Sequence, residues 1–203
     1  MIALGEPLGR IMVSLLGAAM TRVIEPRRDS APAISLRVHA VSAARRHAML
    51  CIAGQCYPCV LGRAGIARLK REGDGRTPAG VWPLRAVLYR ADRVRRPPGA
   101  LAAFAIRRTD GWSDDPAARR YNRPVELPCA GGHETLWRED GLYDLVVVLG
   151  YNDRPVVRGR GSALFLHVAR PDRAPSAGCV ALSLRDLRRV LARVTRRAKL
   201  VIG

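Results

Sequence analysis

A chain of 203 residues suits one domain with a short extension, and its 48% apolar content excludes wholesale disorder. No run approaches the roughly 18 apolar residues of a membrane span, and five cysteines are too few for a disulfide-built mini-scaffold. The 35 Lys and Arg against 17 Asp and Glu leave a net charge of +18, yet only Lys70 and Lys199 are lysines. The arginines run along the whole chain with no nucleic-acid motif beside them, so nucleic acid is not the expected partner.

In chain order, residues 1–33 read as an N-terminal extension. An apolar run at 11–20, with Gly17, Ala18 and Ala19, resembles a weak signal-peptide core, and a Pro- and Arg-containing linker follows it. The domain is expected over 34–203. Short apolar runs at 34–40, 48–53 and 57–61 predict a β-meander. A Gly- and Pro-punctuated loop (73–80) leads into a longer strand at 81–89, and another strand is expected within 101–107. Residues 109–129 are polar and read as an excursion over the surface, part of a cap at 109–140. His133 and Glu134 read as the start of a short helix near Trp137, or as helpers of a site. The segment 142–149 is apolar on both faces, as a covered central strand would be. Strands follow at 163–168 and 178–182. Ser183, with Asp186 three residues later, opens one helix whose stripe is Leu184, Leu187, Leu191 and Val194. Residues 199–202 close as a strand. The expected fold is a mainly β sandwich with one C-terminal helix.

Period-two alternation puts Leu164, Leu166 and Val168 on one face and His167 on the other. The same count puts Val180 and Leu182 opposite Cys179. If the two strands pair, an imidazole and a thiol meet on one surface, the minimum for nucleophilic thiol catalysis. Arg158, Arg160, Arg170 and Arg173 flank the pair in sequence and are expected to pull the thiol pKa down. Ser176, Ala177 and Gly178 form a small-residue approach that suits oxyanion support.

Three blocks carry a resemblance. They are Leu61-Gly62-Arg63-Ala64-Gly65 running into Gly73-Asp74-Gly75-Arg76-Thr77-Pro78-Ala79-Gly80, then Gly161-Ser162-Ala163-Leu164-Phe165-Leu166-His167, then Ser176-Ala177-Gly178-Cys179-Val180. Together they resemble the YkuD-type L,D-transpeptidase catalytic domain, in its compact proteobacterial branch, over roughly residues 34–203. The resemblance implies a YkuD-like β-sandwich of mixed sheets and a peptidoglycan enzyme with no metal or cofactor. It implies Cys179 as nucleophile, His167 as base, and donor and acceptor stem peptides as partners in the periplasm. A cytoplasmic carboxypeptidase is the alternative if residues 1–33 do not direct export. Many family members carry an arginine where this chain has Ala181; Arg160 or an arginine of the 170–173 loop is the expected substitute. Ser162, Tyr151 and Asn152 are candidates to line the cleft or orient His167. Cys51, Cys56 and Cys59 read mainly as strand or turn residues, with a disulfide among them left open. The sequences around Tyr121-Asn122 and Tyr151-Asn152 echo each other.

Overall fold

The computed structural model describes residues 34–41 and 46–203. The proposed export segment and linker therefore lie outside the described residues. Strands β1 (Ser35–Ala40), β2 (His47–Ile52) and β3 (Gln55–Val60) form the expected meander, and β4 (Ile66–Ala67) and β5 (Thr77–Pro78) pair within the following loop. Next come β6 (Gly80–Tyr89) and the short β7 (Ala103–Ala105). Strands β8 (Asp110–Ser113), β9 (Pro124–Glu126) and β10 (His133–Thr135) make a separate three-stranded sheet. The chain ends with β11 (Leu145–Leu149), β12 (Phe165–Val168), β13 (Val180–Leu182), helix α1 (Leu184–Leu191) and β14 (Lys199–Ile202).

The main sheet has the order β11-β12-β13-β3-β2-β1-β14-β6-β7, and β11 also pairs with β6. Ten residues let β6 serve both ends: Gly80 to Pro83 lie along β14, and Leu84 to Tyr89 along β11. The sheet thus curls round one apolar cluster, to which Leu36, Leu50, Leu61, Val147, Leu166, Val180 and Leu200 contribute. Helix α1 closes the cluster with Leu187, Val190 and Leu191. Its cap is Ser183, whose Oγ accepts the Asp186 N–H at 3.1 Å. Full burial of such aliphatic side chains contributes about 1.5–3 kcal/mol each.

The segment 109–129 departs from its expected form. It is a small sheet whose strand Asp110–Ser113 is buried along its whole length, and His133 and Glu134 sit in β10 instead of opening a helix. Its strands are three or four residues long, too short for alternation to show in the sequence. Behind it lies a second apolar cluster, including Leu88, Trp112, Leu136, Tyr143, Val146, Val148 and Phe165. Trp112 and Tyr143 meet Phe165 edge-on at 5.3 and 5.9 Å between ring centres. Strand β11 is covered on both sides, with Leu145, Val147 and Leu149 facing the first cluster and Val146 and Val148 the second.

Asn122 ties the small sheet to the main one. Its backbone φ is +54°, a conformation that Asn tolerates better than most residues. Its Oδ1 accepts from Trp112 Nε1 (2.9 Å) and the Ala163 N–H (3.1 Å). Its Nδ2 donates to the carbonyls of Tyr151 (3.1 Å) and Asn152 (2.8 Å). All four hydrogen-bonding positions of a buried amide are met.

Candidate active site

Strands β12 and β13 run parallel, with Leu166 beside Val180 and His167 beside Ala181. Alternation sends Leu166, Val180 and Leu182 into the first cluster and leaves His167, Cys179 and Ala181 on the opposite face. Cys179 stands one residue before β13, level with Phe165, so ladder spacing sets its Cα about 8 Å from that of His167. A cleft of about 330 Å³ opens over this face, and both side chains line it.

The thiol is held by backbone. Sγ donates to the Ala163 carbonyl at 3.3 Å and accepts the Phe165 N–H at 3.4 Å. Burial pushes the Cys179 thiol up to about 12; the Phe165 N–H opposes this, Glu134 adds to it, and Lys70 opposes it. The expectation of a lowered thiol pKa therefore fails for the resting site. Three of the four arginines near it in sequence, Arg158, Arg160 and Arg173, lie outside this cleft; Arg170 lines it.

His167 is buried beside the ring of Tyr143, with centroids 5.5 Å apart. Its Nδ1 lies 2.8 Å from the Val168 carbonyl. A carbonyl only accepts, so Nδ1 carries the proton and Nε2 keeps its lone pair. Burial lowers the imidazole pKa to about 4, which leaves the ring neutral at pH 7.

The turn before Cys179 is braced from beneath. Ser176 Oγ donates to the Cys179 carbonyl at 2.6 Å and accepts the Gly178 N–H at 3.1 Å. Ser176 also exchanges backbone bonds with the first block, its N–H to the Leu61 carbonyl and its carbonyl from the Arg63 N–H, each 2.9 Å. Gly178 has φ +146°, and a Cβ there would stand 2.8 Å from the Arg76 carbonyl oxygen. The Gly- and Pro-rich loop is thus the floor on which the thiol-bearing turn rests.

Of the other residues singled out by sequence, Ser162, Ala177 and Gly178 line the cleft. Ser162 Oγ donates to Glu72 Oε2 at 2.8 Å, and Tyr121 donates to the same oxygen. Tyr151, Asn152, Arg160 and Arg173 lie elsewhere. Tyr151 packs edge-on against Trp82 and donates to the Arg160 carbonyl. Asn152 holds the Val157 N–H and the carbonyls of Val157 and Gly161. Arg173 borders a neighbouring hollow beside Cys59.

Sequence reasoning missed Lys70, Glu72, Asp114 and Arg138, all on the cleft wall, and left Glu134 undecided, which joins them there. Burial raises the carboxyl pKa of both Asp114 and Glu134. Glu134 and Asp114 left traces in the sequence, in the His133-Glu134 pair and the Asp114-Asp115-Pro116 run; loop packing brings the others in. Cys51 and Cys56 face each other across β2 and β3 in a disulfide, while Cys59, one strand face away, is buried and free. Among the described residues no group of three or more His, Cys, Asp or Glu side chains is placed to hold a metal, and no helix is long and apolar enough to cross a membrane.

The family model for the YkuD L,D-transpeptidase catalytic domain matches residues 39–202. No curated protein and no solved structure matches the chain.

Proposed function

We infer the reaction from one premise: the chain belongs to the YkuD family of L,D-transpeptidase catalytic domains, and Cys179 and His167 carry out acyl transfer on peptidoglycan stem peptides. One observation carries this reading. A neutral imidazole, its Nδ1–H fixed on a carbonyl and its Nε2 open to a proton, faces the same cleft as a thiol.

The thiol leaves the Ala163 carbonyl and passes its proton to His167 Nε2 as Sγ attacks an L-centre carbonyl of the donor stem. Gly178 N–H is already held by Ser176 Oγ, so the N–H groups of Ala177 and Cys179 are the donors we assign to the oxyanion. Collapse breaks the C–N bond, and the imidazolium proton goes to the departing amine. That amine is D-alanine when the donor is the diaminopimelate carbonyl of a tetrapeptide; an L-Ala donor gives a 1-3 link in place of a 3-3 link. The acceptor's diaminopimelate amine then gives a proton to Nε2 and attacks the thioester. The expelled thiolate takes that proton back.

The cleft's charges suit a zwitterionic peptide. Arg63, Arg138 and Arg170 offer guanidinium groups to carboxylates, and Glu72 and Asp114 face an ammonium. Arg170 shares the cleft wall with Ala181, which supports it as the substitute for the arginine usual in the family. A periplasmic site of action is supported by the Cys51–Cys56 disulfide, a bond that persists in oxidising compartments.

Incubation of the pure protein with disaccharide-tetrapeptides, followed by mass spectrometry, tests this reading. Cross-linked dimers with released D-Ala are expected. Tripeptide and D-Ala without dimers would make the enzyme an L,D-carboxypeptidase. Unchanged substrates, with either donor position offered, would overturn the reading.

A further inference from the structure

Lys70 is nearly fully buried in a chain whose other basic residues are, save Lys199, all arginine. Its stem passes between two glycines that border the catalytic strands. A Cβ on Gly161 would stand 2.8 Å from Lys70 Cε, and one on Gly178 would stand 3.3 Å from Nζ. The ammonium therefore sits against the residue immediately before Cys179. Nζ donates to Asp74 Oδ1 at 2.8 Å and lies 3.4 Å from the Arg71 carbonyl. An ammonium has three N–H groups, so one remains on the cleft side, where Lys70 forms part of the wall. A compact ammonium fits between two missing side chains; a planar guanidinium with five donors does not.

We propose that Lys70 is a positioning residue for the thiolate: its ammonium, held by Asp74 against Gly178, supplies the positive charge that favours ionised Cys179. This rests on Cys179 being the nucleophile. Arg63, Arg138 and Arg170 also line the cleft, and Glu72, Asp114 and Glu134 face it with negative charge. Burial and the Glu134 charge disfavour the Cys179 thiolate, and of these cations Lys70 is the one whose charge opposes them, from its place 3.3 Å from where a Gly178 Cβ would stand. Asp74 is itself held ionised by the Arg71 and Arg76 N–H groups and by Lys70. The strength of the ammonium at the sulfur is thus set by a partner one helical-turn spacing away in sequence, in the same loop that forms the floor.

The test is alkylation of the intact protein with iodoacetamide at pH 7–8, with Cys179 and Cys129 read separately by peptide mass mapping and Cys129 as internal reference. Lys70→Met keeps the stem and removes the charge. Loss of a neighbouring positive charge is expected to lower the thiolate fraction about tenfold and to raise the nucleophilicity of what remains about threefold. The Cys179 to Cys129 rate ratio is expected to fall at least about threefold. Asp74→Asn frees the ammonium from its counter-charge and is expected to raise the ratio, an opposition in sign that loss of packing does not produce. An unchanged or higher ratio in folded Lys70→Met overturns the proposal. If that variant does not fold, a ratio that is lower or unchanged in Asp74→Asn overturns it. Alkylation needs no substrate, so failure of the peptidoglycan reading would appear separately, as disaccharide-tetrapeptides left unchanged or as turnover that survives Cys179→Ala.

Discussion

Cys179→Ala is expected to lower acyl transfer by on the order of 10³-fold or more, while thermal unfolding stays close to that of the parent chain. In the proposed mechanism this sulfur forms the covalent intermediate, and the other free thiols, Cys59 and Cys129, do not line the cleft: Cys59 lies in the neighbouring hollow, its thiol pushed up to about 12 by burial. The alanine keeps Cβ and loses one sulfur that packs beside the second apolar cluster. Its two backbone contacts at 3.3 and 3.4 Å are weak sulfur bonds, so their loss costs little stability. Muropeptide analysis of cells expressing either form gives the readout, and cross-links that persist in the variant would remove Cys179 from the mechanism.

The second large effect belongs to His167. His167→Gln removes the cleft wall's only imidazole among the described residues and is expected to lower turnover by about 10²–10⁴-fold. The same variant tests the ring's charge state. The folded pKa, about 4, lies below the ordinary 6.5, so between these values the unfolded chain binds the extra proton. Stability therefore rises with pH across that window and is fully present above it. As pH falls through the folded value, the chain loses roughly 3 kcal/mol, the worth of a shift of this size. Urea unfolding at pH 7 and pH 4 is expected to show this loss in the parent and a smaller loss, by about that amount, in His167→Gln. Equal losses in the two proteins would mean that His167 is not held neutral by burial.

How these two side chains come together was legible in the sequence because it depends on a period of two. Leu164-Phe165-Leu166-His167 and Cys179-Val180-Ala181-Leu182 alternate cleanly, and the parallel register puts their odd-numbered residues on one face. Strand β11 and helix α1 were legible from other local patterns: β11 is apolar on both faces, and α1 carries a 3.6-residue stripe behind a Ser cap. Closure of the main sheet was not, because it depends on where β6 changes partner. The register shift between Val148 and Leu149, opposite β6, belongs to that crossing. The small sheet escaped because Asp110, Trp112, Asn122 and Pro124 read as loop chemistry until Asn122 is seen satisfying buried groups.

The electrostatics were the least legible. Arg158 and Arg160 are near His167 in sequence, yet Tyr151 and Asn152 hold their loop away from the cleft. Lys70 is more than a hundred residues from Gly178 in sequence and packs against it because the loop carrying it folds beneath the thiol-bearing turn. Long-range packing of Gly62 to Gly75 against Ser176 and Gly178 carries that information. A sequence window does not contain it.

The intact mass of the protein, taken during turnover of a disaccharide-tetrapeptide, bears most directly on a thiol and an imidazole working as one unit. The expected result is an adduct equal to the donor less D-alanine, mapped to the peptide that contains Cys179 and lost on treatment with hydroxylamine. Cross-linked product forming with the adduct on another residue, or from a Cys179→Ala chain, would contradict the account.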